Sequence, residues 1–324
     1  MTSAPALRRV FLLGATGSIG RATARALIAN GHVVTALIRA GADAAGLDGV
    51  TLRRGEATDA ALLARDGFAG EAFDAVVSCL ASRNGAPADA WAVDHAAHVA
   101  ALDLAEKAGV RRFVQISAIC VQKPRLAFQH AKLAFEAKLM ASRVPWTIIR
   151  PTAYFKSLSG QLARLRAGKP FLMFGDGRLT STKPISDDDL ARYIAARLED
   201  GDAAGRILPI GGPGPAITPR DQGEMFFAAL GLRPRFSSVP PAMLAGAARA
   251  LDLAGLIAPA MKAKAEFARI GHYYATESML VWDESRGRYD ADATPETGSE
   301  TLSGFFERLA RGEAAVDLGA HRAF

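Results

Sequence analysis

The sequence predicts an α/β protein: a parallel sheet flanked by helices, followed by a smaller mixed α/β region. Three observations carry the prediction. Near-continuous apolar runs of strand length alternate with helix-like segments through residue 150, as in a parallel sheet covered on both faces. The first run, Val10 to Leu13, leads directly into GATGSIG, Gly14 to Gly20. After Pro151 the alternation gives way to shorter and more varied segments.

RRVFLLG forms the first predicted strand and ends at Gly14, and a helix follows from Ile19 to Ala29. Between them the chain must turn tightly. Side chains are absent at Gly14 and Gly17, so a ligand can approach the backbone, and the free N–H groups of the helix start favour a pyrophosphate. This strand, glycine loop and helix read as the start of a Rossmann-like dinucleotide site. Its expected cofactor-binding residues are Gly14, Thr16, Gly17, Ser18, Ile19 and Gly20. HVVTALIR supplies strand two, and Gly49 to Arg53 a short strand three. A helix is expected from Asp59 to Arg65, with Asp59 as its cap. Phe73 to Ala81 is strand four, Val93 to Ala108 an Ala-rich helix stopped by Gly109, and Arg111 to Ser117 strand five. A helix from His130 to Ser142 and strand six, Trp146 to Pro151, complete residues 1–153, the expected NADP(H)-binding Rossmann-like domain.

Residues 154–324 are expected to form a substrate-binding region and C-terminal elements, with some chain returning to the main domain. Phe155 to Ala167 reads as helix, Lys169 to Phe174 as strand and Gly175 to Arg178 as a turn. Asp187 to Leu198 begins with an acidic cluster suited to a helix start. Ile207 to Ile210 is a short strand, and helices follow over Pro219 to Leu230, Pro240 to Leu256 and Lys262 to Ile270. His272 to Asp292 is aromatic, polar and strand-like; Arg286 to Pro295 suits a hairpin or turn; Glu300 to Arg311 is a closing helix.

Composition narrows the functional classes. The chain has 324 residues, half of them hydrophobic, enough for a large core. Its formal charge of +6 is dispersed among acids rather than interleaved with aromatics, so nucleic acid is not the expected partner. A basic chain favours an anionic substrate or a loose approach to anionic lipid. Cys79 and Cys120 each end an apolar run and read as buried thiols, and no Cys/His cluster predicts a metal site. Met1 to Arg9 lacks a signal-like apolar segment. No apolar run approaches the roughly 20 residues of a spanning helix, so no transmembrane segment is expected. The expected location is cytoplasmic, with peripheral contact with a photosynthetic membrane left open, as is the oligomeric state.

Several residues beyond the glycine loop are candidates for the site. Arg39 follows strand two, where an NAD site usually carries an acid; a cation there suits a ribose 2′-phosphate, the alternative being an ordinary surface arginine. Glu56 and Ala57 follow strand three, where adenine is expected. Leu80 and Ala81, after strand four, are expected to offer backbone contacts, and Ser117 ends strand five. Phe128 and Lys132 have the spacing of a Tyr-x-x-x-Lys pair, but phenylalanine replaces the tyrosine. Phe128 cannot protonate an alkoxide, whereas Lys132 can hold the nicotinamide ribose hydroxyls, the alternative being a solvated lysine in an amphipathic helix. His130 is a proton donor by chemistry or simply a helix-start surface residue.

The motifs GATGSIGR (14–21), VVSCLASRNG (76–85), FVQISAICVQKP (113–124), FQHAKLAFEAKL (128–139), KPISDDDLA (183–191) and the segment 272–306 beginning HYYATESMLVWD resemble one family. The chain looks like the NADPH-dependent divinyl chlorophyllide or protochlorophyllide 8-vinyl reductases. These are atypical short-chain dehydrogenase/reductase proteins related to the isoflavone-reductase and NmrA-like group. The likeness spans residues 9–312 and is most specific in the C-terminal segment.

It implies NADPH as cofactor and a divinyl magnesium tetrapyrrole as substrate, whose C8 vinyl group is reduced to ethyl in chlorophyll or bacteriochlorophyll biosynthesis. It places the family's glycine signature on Gly14, Gly17 and Gly20, its cofactor-selecting cation on Arg39 and its active-site lysine on Lys132. A conjugated carbon–carbon acceptor forms no oxyanion at the reacting carbon, which makes the missing tyrosine at Phe128 understandable. Lys132, Tyr154, His130, Tyr273 and Tyr274 are the candidate donors or orienters, with water as a competitor. Phe155, Phe171 and Phe174 either stack on a macrocycle or fill a core, and Arg83, Lys156 and Arg178 are candidates for a cationic rim. Two alternatives stay open: a reductase for another conjugated molecule, and a non-catalytic NADP(H) sensor.

Overall fold

Side-chain alternation builds the central sheet. In β1 (Arg9–Leu13), Val10 and Leu12 enter one core while Phe11 and Leu13 enter another, and all four are fully buried. The computed structural model describes residues 8–83, 85–258, 260–314 and 316. Most of the Met1 to Arg9 stretch therefore lies outside the described residues.

The chain continues through α1 (Ser18–Ala29), β2 (Val33–Ile38), β3 (Thr51–Arg54) and α2 (Ala60–Leu62), which runs into a π-helical turn, Leu63–Phe68. Asp59 caps α2 by accepting the N–H groups of Ala61 and Leu62 at 2.9 and 3.0 Å. Next come β4 (Ala75–Ser78), α3 (Pro87–Ala90), a π-helical segment Trp91–Ala97 and α4 (His98–Lys107). Then follow β5 (Arg112–Ile116), a 3-10 turn Ile119–Gln122, α5 (Ala127–Met140) and β6 (Trp146–Pro151). The remainder comprises α6 (Phe155–Leu158), α7 (Leu162–Arg166), β7 (Phe171–Phe174), α8 (Asp187–Glu199), β8 (Arg206–Ile210), α9 (Pro219–Ala229) and β9 (Phe236–Val239). It ends with α10 (Ala242–Ala254), α11 (Ala260–Thr276), β10 (Val281–Asp283), β11 (Arg288–Asp290) and α12 (Leu302–Arg311).

The seven-stranded sheet has the order β3-β2-β1-β4-β5-β6-β8, with every pairing parallel. Strand order reverses between β1 and β4, which opens the crevice where nucleotides bind in such sheets. Chain from beyond residue 153 returns to this sheet: β8 is its edge strand beside β6, and α8 packs beside α1 over the Val10–Leu12 face. Ser186 caps α8 by accepting the Asp189 N–H at 3.0 Å.

The smaller region has its own core of Phe155, Leu165, Phe171, Phe226 and Phe306, in which the Phe226 and Phe306 rings stack at 3.6 Å between centroids. Phe155 and Phe171 are buried there, so they are core residues rather than faces open to a macrocycle. β7 pairs with β9, whose FSSV sequence carries too little apolar signal to read as a strand.

Two expected elements differ in form. The strand-like reading of His272 to Asp292 is corrected: α11 extends through Thr276, and only β10 and β11 form an antiparallel hairpin. Tyr273 explains the helix. Its ring packs with Ile119, Cys120 and Met279, and its hydroxyl donates to the Cys120 and Lys123 carbonyls at 2.9 and 3.0 Å, so tertiary contacts override local strand preference. The helix expected over Phe155 to Ala167 is split into α6 and α7, where the Ser159 hydroxyl bonds the Lys156 carbonyl at 2.7 Å.

Candidate active site

The three loop glycines do different work. Gly14 has φ +77°, and a Cβ there would lie 2.6 Å from the backbone of Cys79 and Leu80. A Cβ at Gly20 would lie 2.0 Å from the Gly14 carbonyl oxygen. Both glycines are required by the protein's own packing. A Cβ at Gly17 would meet only the Gly14 oxygen, at 3.5 Å, so the space before it is left to a ligand. Gly17 is the N-cap of α1 and supplies no side-chain cap, so the helix start keeps donors for an anion. Arg21 braces the loop by donating to the Thr16 carbonyl at 3.2 Å, and Ile19 packs into the sheet core. This cradle fits a dinucleotide pyrophosphate.

The other cofactor candidates lie at the carboxyl ends of adjacent strands. Arg39, after β2, is exposed, and its guanidinium has no hydrogen-bond or ion-pair partner among the described residues. Glu56, after β3, accepts from the Thr58 hydroxyl at 3.0 Å and so turns back on its own loop; Ala57 packs against the Phe11 core. After β4, Leu80 is half-buried and Ala81 exposed. Ser117 is buried after β5, and its hydroxyl donates to Glu136, which is also paired with Arg150. A groove of about 590 Å³ between the α2 turn and α4 includes none of these residues.

Lys132 comes from the buried face of α5. Its ammonium lies 2.8 Å from Asp94, whose side chain is fully buried in the π-helical segment before α4. Burial by itself raises the Asp94 pKa, but Lys132 and the Ser82 N–H overcome it, and the carboxyl sits below its ordinary range. Its Oδ2 is buried without a hydrogen-bond partner. One turn further, His98 Nε2 lies 2.7 Å from the Ser78 hydroxyl and Nδ1 lies 2.9 Å from the Val93 carbonyl. A neutral ring satisfies both, with Nδ1 donating and Nε2 accepting. Burial, then the nearby Lys132 charge, push its pKa down to about 4. Gln129 holds the start of α5, accepting the Arg125 and Leu126 N–H groups at 2.7 and 3.0 Å.

The phenols divide sharply. Tyr274 shows 44% of its surface to solvent, yet burial leads the causes that raise its pKa well above the usual phenol value. Its hydroxyl shares a hydrogen bond with the Cys120 thiol. Tyr154 stands close enough to influence Tyr274, and burial raises its pKa too, ahead of smaller effects from Cys79, Asp187 and Cys120. Burial likewise raises Asp187, which lies within reach of the Ser18 hydroxyl. Lys132 thus stands close enough to influence Cys120, and Cys120 close enough to influence Tyr274 and Tyr154, which makes this neighbourhood the candidate recess. Tyr273 is 2% exposed, with its hydroxyl committed to two carbonyls, and so is not a free donor. His130 is exposed two residues from buried Lys132, a separation that places it on the opposite side of α5. Neither joins the recess. Cys79 is an inert thiol, pushed up to about 12 by burial.

The family model for NAD(P)H-binding proteins matches residues 14–201, and NAD(P)H is the cofactor of this chain. The Bordetella bronchiseptica enzyme WbmG in complex with NAD has the same fold, with TM-score 0.70 and 17% identity over 97% of this chain and 96% of that one. Among curated relatives, the chloroplastic divinyl chlorophyllide a 8-vinyl-reductase of Oryza sativa subsp. indica is 45% identical over 99% of this chain and 83% of its own length. The chain belongs to the divinyl chlorophyllide a 8-vinyl-reductase family. The Zea mays relative of the same name is 43% identical over 97% of this chain and 82% of its own.

The C-terminal segment shared with this reductase family is chiefly a brace. Glu277 pairs with Lys123 at 3.0 Å and Arg125 at 2.9 Å, and accepts the Tyr289 hydroxyl at 2.6 Å. The Lys123 ammonium sits 3.9 Å above the Trp282 ring. Gln122 clips the turn after β5 to the Leu280 carbonyl and the Trp282 N–H. These contacts carry Tyr274 to the recess on a fixed scaffold. The residues beside Lys132 that sequence reasoning missed are Asp94 and His98. The available signal was Asp94 and His98 four residues apart on one face of an Ala-rich helix, but that helix also carries His95, Asp103 and Glu106, and an acid in a first turn also reads as a helix-start charge. Among the described residues, no helix is long and apolar enough to cross a membrane.

Proposed function

We propose that this protein reduces the C8 vinyl group of divinyl chlorophyllide a, or its protochlorophyllide counterpart, to ethyl, in chlorophyll or bacteriochlorophyll biosynthesis. The carrying observation is 45% identity along almost the whole chain to a reductase of that name. Bound NADPH supplies the hydride. Hydride adds to one vinyl carbon and a proton to the other, so the double bond becomes single while the macrocycle spreads the developing charge.

In this reading residues 1–153 form the nucleotide side and residues 154–324 the substrate side, with β8 and α8 returned to the main sheet. Gly14, Thr16, Gly17, Ser18, Ile19 and Gly20 cradle the pyrophosphate, and Arg39 selects the 2′-phosphate. Glu56, Ala57, Leu80 and Ala81 flank the adenosine by shape and backbone, and Ser117 holds its strand end through Glu136. Lys132, fixed by Asp94, binds the nicotinamide ribose hydroxyls; the unsatisfied Asp94 Oδ2 supports a polar ligand group there. Tyr154 and Tyr274 remain protonated at neutral pH, so either can orient or supply the proton. Phe128, packed with Cys120 and Tyr273, leaves no oxyanion partner at the position where carbonyl reductases carry tyrosine. Peripheral contact with a photosynthetic membrane belongs to the same reading, because the substrate is a large apolar macrocycle.

Incubation with NADPH and divinyl protochlorophyllide or chlorophyllide tests the proposal. The expected product gains two hydrogens in mass and shifts its Soret band to the blue. Absence of product under fully reducing conditions overturns it. Lys132→Ala is expected to impair turnover and NADPH binding; normal values for both would remove Lys132 from the site.

A further inference from the structure

Helices α10 and α11 form a hairpin held together by Arg269, which lies 2.7 Å from Asp252 and 2.8 Å from Glu266. Its connecting tip is apolar and uncovered: Leu253 is 68% exposed, Leu256 79% and Ile257 92%. In α10 itself only Ala248 is buried. Three exposed cations, Arg249 on α10 and Lys262 and Lys264 on α11, have no hydrogen-bond or ion-pair partners among the described residues, and the Lys262 stem lies beside Gly255 in the tip. The hairpin's two acids, Asp252 and Glu266, both pair with Arg269 rather than with these three cations. An apolar end on a hairpin that carries unpaired positive charge matches an interfacial lipid-binding element.

We propose that the α10–α11 tip docks on an anionic lipid bilayer, with Leu253, Leu256 and Ile257 entering the acyl boundary and Arg249, Lys262 and Lys264 meeting the headgroups. A second copy of the chain fits less well, because a self-contact would set one group of unpaired cations against another. An anionic bilayer supplies both the apolar depth and the opposite charge. At 1.5 Å per residue, Tyr274 lies about 21 Å along α11 from its start, so the tip is separate from the recess. The inference names the lipid surface behind the peripheral contact proposed above. Vesicle binding needs neither tetrapyrrole nor turnover, so either claim can fail while the other stands.

The test is co-sedimentation of the full chain with phosphatidylcholine vesicles and with vesicles containing phosphatidylglycerol. Wild type is expected to bind the anionic vesicles at least about tenfold more tightly, and to release at high salt. Leu256→Ser with Ile257→Ser should lose about tenfold in binding. Arg249→Gln with Lys262→Gln and Lys264→Gln should abolish the preference for anionic lipid. Both variants should keep wild-type NADPH affinity and turnover of detergent-solubilised substrate, which checks their folding. Equal binding of wild type to both vesicles, no binding to either, or unchanged binding by the Leu256/Ile257 variant overturns the proposal. A change from dimer to monomer in that variant, with vesicle binding unaltered, assigns the tip to self-association and also overturns it.

Discussion

Replacing Asp94 by asparagine removes one charge from a buried pair while nearly preserving shape. The Lys132 and Asp94 charges lie 2.8 Å apart, and both side chains are more than nine-tenths buried. At an effective dielectric of about 20, two unit charges at that distance attract by about 6 kcal/mol. Desolvation of both groups offsets part of that attraction, and breaking such a pair by removing one partner costs about 3–5 kcal/mol. The asparagine carbonyl still accepts from Lys132 and from the Ser82 N–H, which places Asp94→Asn near the lower end, about 3 kcal/mol. For a chain of this size the expected drop in melting temperature is about 4 °C. Turnover should fall with it, because the lysine is then no longer held in one position. Thermal melts with and without NADPH, together with initial rates, provide the assay. Pairing Asp94→Asn with Lys132→Met should cost less than the two single effects added together. An Asp94→Asn protein that melts within 1 °C of wild type and turns over normally would refute the reasoning.

Further outcomes follow from other positions. His98 titrates at about 4 in the fold against about 6.5 when unfolded, so the folded state resists its protonation. Its contribution is present above pH 6.5 and is lost as pH falls toward 4, reaching about 3 kcal/mol; between pH 7.5 and 5, wild type should lose about 2 kcal/mol more than His98→Gln in urea titrations, and parallel curves would contradict this. Arg39→Glu should weaken NADPH about 30- to 100-fold in fluorescence titrations and NADH far less, and equal losses would remove Arg39 from the 2′-phosphate. Gly20→Ala should destabilise the fold by a few kcal/mol, because its Cβ would overlap the Gly14 oxygen. Gly17→Ala should leave the apo melting temperature nearly unchanged and weaken the cofactor instead; the reverse ranking in melts and titrations would refute the division of roles.

Much of the nucleotide side is legible because its signals are local. A parallel strand buried on both faces must be apolar, and a helix start that receives phosphate must lack side chains, so Val10 to Gly20 reads directly. The position of Arg39 after β2 is legible as well, since it is counted from the end of a strand. The recess is less legible. Tyr273 and Tyr274 are adjacent and chemically identical, and only the packing of α11 against Cys120 decides that one bonds backbone carbonyls while the other faces the recess. His130 and Lys132 share a helix, but its docking buries one and exposes the other. Asp94 resembles an ordinary first-turn acid until α5 brings Lys132 against it.

The sequence by itself therefore determined the layered α/β architecture, the glycine loop at the end of the first strand, and the family through its C-terminal motif. Each depends on the order of residues along a short stretch of chain. The tertiary structure alone decided the Lys132–Asp94 pair, the choice between neighbouring tyrosines, the brace on Glu277, and the apolar tip of a hairpin that carries unpaired cations. Those features join segments far apart in the chain, and their energies arise from burial and charge proximity, which exist only once the helices and strands have packed.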